Sequence, residues 1–158
     1  MAKSNKSSGF TNSGSGEKPF GPALIGALLR MPWDAVQQHM LDRLYESSFA
    51  DFDAAYLTVF QYPGPQGARP SELAARLRIS KQALNYLLGE LERLGYLERR
   101  TDPDDLRSKR IALTPRGIAA VCVIREAVGE VETAWAEQLG AARFDELRNL
   151  LLELNGLT

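Results

Sequence analysis

The stretch "SKQALNYLLGELER", residues 80–93, holds the side chains of this 158-residue chain best suited to chemistry, and that chemistry is recognition rather than bond making. Placed on a wheel at about 100° per residue, Leu84, Leu87, Leu88, Leu91 and Leu94 share one stripe. Gln82, Asn85, Tyr86, Gly89 and Arg93 fall opposite, with Lys81 nearer the margin at the N-terminal end. Glu90 and Glu92 point to the flanks. A solvated helix face usually mixes Glu with Lys; this one offers amides, a phenol, a small gap and an arginine. Carboxamides can pair with an adenine edge through two hydrogen bonds, and Lys can reach guanine or phosphate. Tyr86 can touch a thymine methyl or donate to phosphate. Ser80 is placed to cap the helix, whose free N–H groups and partial positive charge favour phosphate. A solvated face and a protein-contact face are the competing readings.

The second group is "TDPDDLRSKR", residues 101–110, which sets three aspartates beside three basic residues. It lies between two short apolar-rich strands, "YLERR" and "RIALT", so it reads as a hairpin tip. Arg107 near the tip suits a minor groove, whose negative potential attracts arginine. Lys109 and Arg110 at the strand base suit phosphates. The aspartates would be repelled there and read instead as internal partners. Pro103 and Asp104 shape the turn, and Asp105 orients Arg107 or a neighbouring base. Alone, this loop could equally be a solvated charged turn; directly after a polar reading helix it fits a wing.

The elements around these groups follow from pattern. "SELAARLR", 71–78, is a short helix with Leu73, Ala74 and Leu77 inward, and "RIS" is the turn into the next helix. Together they make a helix-turn-helix whose second helix enters a major groove. Gly95 stops that helix. Thr114-Pro115 caps and opens a long one, along which Ile118, Val121, Ile124, Val128, Val131 and Trp135 recur every three or four residues. A last helix carries Phe144, Leu147, Leu150, Leu151 and Leu154. Upstream, apolar residues from Leu24 to Leu44 keep to one face, with Pro32 expected to kink or split the segment. A further apolar helix covers roughly 53–61 and ends at the Pro/Gly-rich "YPGPQGARP". Residues 1–19 are Ser/Gly/Asn/Lys-rich and read as a disordered tail.

Composition narrows the classes. Apolar residues are 44% and charged residues 25%, with a net charge of −1, so the whole chain is no general polyanion binder. The basic excess is local: residues 69–116 hold 11 Lys/Arg against 7 Asp/Glu, while both flanks are acidic. One cysteine, Cys122, between Val121 and Val123, reads as a small buried hydrophobe rather than a redox sensor. The one histidine, His39, cannot form a metal site or a catalytic triad alone. No cofactor, metal or enzymatic activity is expected. No apolar run reaches the roughly 18 residues of a membrane span, and a cytoplasmic location is the default.

Residues 71–117 resemble the MarR family of winged helix-turn-helix regulators. The most specific part is Asp-Pro-Asp-Asp-Leu-Arg at 102–107, followed by Leu113-Thr114 and Gly117. The resemblance implies a mainly α fold with a small β-hairpin wing. It implies a helical dimerisation region at 20–48 and 118–158 and a DNA-binding domain at 49–117. A homodimer would then bind double-stranded DNA at a pseudo-palindromic operator, its half-sites roughly 10 bp apart, most simply as a repressor. A small aromatic or phenolic effector is also implied, for which Trp33, Tyr56 and Phe60 are the apolar-aromatic candidates. A winged-helix module that contacts protein instead of DNA is the alternative. The chain departs from the family at Arg69, where a capping Ser or Thr is common, so the helix is expected to start on Ser71. Leu106 fills a position where glycine or a basic residue is usual.

Overall fold

The computed structural model of the chain describes residues 23–60, 67–103 and 105–157. The tail assigned to 1–19, most of the Pro/Gly loop and Asp104 lie outside them. Among the described residues, six helices and one hairpin follow in order. They are α1 (Ile25–Glu46), α2 (Ala54–Phe60), α3 (Pro70–Leu77), α4 (Lys81–Arg93), β1 (Leu97–Thr101), β2 (Lys109–Leu113), α5 (Pro115–Leu139) and α6 (Ala141–Leu154). The mainly α winged helix-turn-helix expected from the sequence is the fold observed.

Local chemistry sets most boundaries. The Asp53 carboxylate accepts the Ala55 N–H at 2.8 Å and opens α2. Ser80 Oγ accepts the Ala83 N–H at 3.1 Å and opens α4. Helix α4 closes at Gly95, whose φ of +76° suits the residue without a Cβ. Thr114 Oγ1 accepts the Gly117 N–H at 3.0 Å, with Pro115 in the first turn of α5. Two expectations fail. Pro32 does not split α1, which runs unbroken through it; the missing N–H orphans an acceptor on the exposed end of the helix, where solvent can serve it. Helix α3 begins at Pro70 rather than Ser71. Proline is preset for the first helical position, and the Arg69 N–H donates to Glu72 Oε2 at 3.3 Å.

The core lies where α1, α2, α4, β1 and α5 meet. Leu84, Leu88 and Leu91 of α4 are buried, as the wheel required. They join Met40 and Leu44 of α1, Leu57 and Val59 of α2, and Ile111 of β2. At its heart are four rings: Phe52 packs edge-on to Tyr56, Phe60 and Tyr96 at centroid separations of 5.0–5.6 Å. Burial at this scale is the main stabilising contribution. Along α5 the wholly buried apolar side chains are Ala120 and Ala127, while the larger seam residues from Val121 to Trp135 are half-covered. Small residues let α1 and α5 approach closely, and Glu130 bridges them, 2.7 Å from His39 Nε2 and 3.4 Å from Arg43 Nε. Cys122 is exposed, contrary to expectation: two residues from Ala120 it turns about 200° away from the buried side.

Candidate nucleic-acid interface

Helix α4 presents the polar face read from the wheel. Ser80, Lys81, Gln82, Asn85 and Tyr86 are all exposed, Tyr86 by 70%. The capped first turn of α4 stands at the open end of this face. Arg93 is also exposed but is held by Glu90 three residues earlier, with Nη2–Oε2 at 2.8 Å. That hydrogen bond lowers the Glu90 pKa and raises that of Arg93, so the arginine's charge is already matched inside the helix.

The wing is antiparallel, with Leu97 opposite Leu113 and Thr101 opposite Lys109. It gains a one-residue bridge that the sequence pattern did not suggest: Ala68 pairs with Ile111, its N–H 3.0 Å from the Ile111 carbonyl oxygen and the return bond 2.8 Å. Arg107 and Leu106 lie exposed at the tip. Asp105 accepts the backbone N–H of Arg107 at 3.1 Å. It shapes the turn through the main chain.

Where β1 enters the wing loop, the guanidinium groups of Arg69 and Arg110 converge on Asp102, which is wholly buried. Its Oδ2 receives Arg69 Nε at 2.7 Å and lies 3.0 Å from Arg110 Nε, with Ser108 Oγ donating at 3.3 Å. Arg110 is therefore tied inward, whereas Lys109 Nζ rests on Thr101 Oγ1 at 3.1 Å and stays exposed. Sequence reasoning missed Arg69 and Asp102 as a pair. The signal was the missing cap at 69, since a long cation sits where a short hydroxyl was expected.

A second cluster fixes α4 to the rest of the molecule. Arg116, in the first turn of α5, donates from Nη1 to the Leu94 carbonyl at the end of α4, 2.9 Å away. Its Nη2 reaches Asp51 Oδ1 at 2.8 Å, and its guanidinium lies 4.5 Å from the Tyr96 ring centre. Tyr96 Oη donates to Asp51 at 2.6 Å. That hydrogen bond, with Arg116 beside it, holds the Asp51 carboxyl below its ordinary pKa despite the opposing effect of burial. Burial first, and then the hydrogen bond to Asp51, push the Tyr96 phenol up to about 12.

The three effector candidates do not come together. Tyr56 and Phe60 are buried in the aromatic core, each nearly perpendicular to Phe52, and Trp33 lies exposed on α1 outside that core. Open space lies elsewhere. One apolar recess of about 210 Å³ sits between α5 and α6, lined by Trp135, Phe144, Leu147 and Leu151. A second of about 200 Å³ is lined by Pro70, Ser71, Lys81, Leu84 and Asn85.

A helix-turn-helix with a hairpin wing between long flanking helices is a combination that other proteins share. The family model described as MarR family matches residues 62–108, the span from the loop before α3 to the wing. Over that span the chain is similar to the MarR family. Among MarR-family structures, that of wild-type MarR from E. coli in its apo form is 24% identical, covering 84% of this chain and 98% of that one, with a TM-score of 0.66. A mutant of S. aureus MepR bound to an oligodeoxyribonucleotide is 24% identical over 87% of this chain and 100% of that one, at 0.56. The uncharacterized HTH-type transcriptional regulator YkoM of Bacillus subtilis (strain 168) is 31% identical over 83 residues. That match takes in 52% of this chain and 53% of YkoM, so the chain spans about half the length of the curated relative it matches.

Proposed function

We propose that this chain is a homodimeric transcriptional regulator of the MarR type, acting as a repressor, that reads duplex DNA with α4 and grips it with the wing. The observation that carries the reading is the outward face of α4: Gln82, Asn85 and Tyr86 exposed, acid kept to its flanks, and a serine-capped N-terminus at its end. Carboxamides on a helix whose leucines are buried behind it suit base edges in a major groove. Arg107 at the wing tip suits the adjacent minor groove. The mutant MepR, which shares the fold, was solved with an oligodeoxyribonucleotide, the class of ligand proposed here.

The dimer is supported by apolar surface that one chain leaves uncovered. Leu24, Ile25, Leu28 and Met31 of the α1 end and Leu147, Leu150 and Leu154 of α6 are exposed by 40–80%. Patches of this kind mark association surfaces. Control by a small aromatic or phenolic molecule stays part of the reading through the family resemblance, with Tyr56 and Phe60 buried in the core and Trp33 exposed on α1.

Selection of bound duplexes from a random library tests the whole reading. Enrichment of a two-fold related pair of half-sites about 10 bp apart is expected, with affinity falling steeply between about 50 and 200 mM salt. A purified protein that retains no duplex at any ionic strength overturns it, and a co-purifying protein partner would then favour the interaction-module alternative.

A further inference from the structure

The segment entering α3 is stitched to the wing at three successive residues. Gly67, at φ +74°, lies so close to β2 that a Cβ there would stand 2.6 Å from the Ile111 carbonyl oxygen. Ala68 forms the two backbone bonds to Ile111. Arg69 then reaches Asp102, which closes the hairpin from β1 by donating its N–H to the Ser108 carbonyl at 3.1 Å. A wholly buried carboxylate is stable only with positive or donor partners, and removal of one leaves a poorly compensated charge. Arg69 and Arg110 meet the same oxygen from the N-cap of α3 and from β2, so one carboxylate joins the helix-turn-helix to the wing.

We propose that Arg69 is a positioning residue for DNA binding: through Asp102 it locks the wing against the start of α3, so that Arg107 and the face of α4 meet DNA as one rigid unit. Arg110 is held by the same carboxylate and serves this lock rather than a phosphate. The inference rests on the DNA-reading role proposed above. The direction of the Arg69 pKa agrees with it, the Asp102 hydrogen bond raising it above the ordinary value.

The test is a double-mutant cycle on the selected operator across a salt series, with Arg69→Ala, Arg107→Ala and the pair. Arg69→Ala is expected to weaken binding about tenfold, and to add almost nothing in the Arg107→Ala background, because both act through the wing. The base preferences read by Gln82 and Asn85 stay unchanged. Full additivity, with a further flattening of the salt slope by about one in the Arg107→Ala background, would mean that Arg69 itself touches phosphate and would overturn the inference. So would parental affinity in Arg69→Ala. If Arg69→Ala fails to fold, Arg69→Gln takes its place in the same cycle.

Hydrogen exchange without DNA separates this inference from the functional reading. Arg69→Ala is expected to speed exchange at the amides of Ala68, Asp102 and Ile111, while α1 and α5 keep their protection. Unchanged protection at those three amides sinks the lock whether or not the protein binds DNA.

Discussion

Gln82 and Asn85 stand three residues apart on an exposed helix face, so each can address its own base. Gln82→Ala or Asn85→Ala is expected to cost about 1–3 kcal/mol of discrimination at one operator position and to leave the others intact. Competition binding with single-base operator variants measures this. Arg107→Ala is expected to behave differently, weakening all sequences alike and flattening the plot of log K against log salt by about one unit. The two outcomes separate reading from gripping. Arg93→Ala should have the smaller effect, since Glu90 already matches its charge.

At the scale of elements, the junction of α4, β1 and α5 decides how α4 is aimed. A Cβ on Gly117 would lie 2.1 Å from the Tyr96 carbonyl oxygen, far inside contact distance and against backbone that cannot swing aside. Gly117→Ala is expected to destabilise the fold by about 2 kcal/mol or more, visible as a lower denaturation midpoint. The glycine of the family's wing signature thus has a steric cause here. The same junction makes stability pH-dependent. A phenol whose pKa rises from 10 unfolded to about 12 folded favours the neutral form in the native state. Its contribution is fully present below pH 10 and is lost as pH climbs through about 12. Alkaline denaturation scans should lose that segment of their pH dependence in Tyr96→Phe, and a scan identical to the parent's would contradict the assignment.

For the whole molecule the question is what covers the ends of α1 and α6. Helix α6 has no buried residue and packs on α5, leaving Leu150 and Leu154 outward. If these leucines and Leu28 meet a second copy, Leu28→Glu with Leu154→Glu places charges in an apolar interface. Dimerisation is then expected to weaken by about 2 kcal/mol or more, with sedimentation velocity showing monomer at micromolar concentration. Half-site spacing preference should vanish with it. A doubly substituted protein that sediments like the parent removes the dimer proposed for these helices.

Periodicity, caps and turn residues made the helix-turn-helix, the hairpin and the outward face of α4 legible in the sequence, because each depends on residues within a turn or two of one another. Ser80, Gly95 and Thr114 act on their own neighbours, and the five leucines of α4 and its C-terminal end needed only a 3.6-residue repeat. What tertiary structure decided were pairings across long stretches of chain. Arg69 finds Asp102 thirty-three residues away, and Arg116 finds Asp51 sixty-five away. Charge type in a sequence says that a partner is needed but not which one, so nothing in the spacing pointed to Asp102 as the partner of Arg69 and Arg110. Likewise the sequence did not show that Tyr56 and Phe60 pack against Phe52 and Tyr96. Local order is written in spacing; whether a given side chain faces core, neighbour or solvent depends on the elements that pack against it.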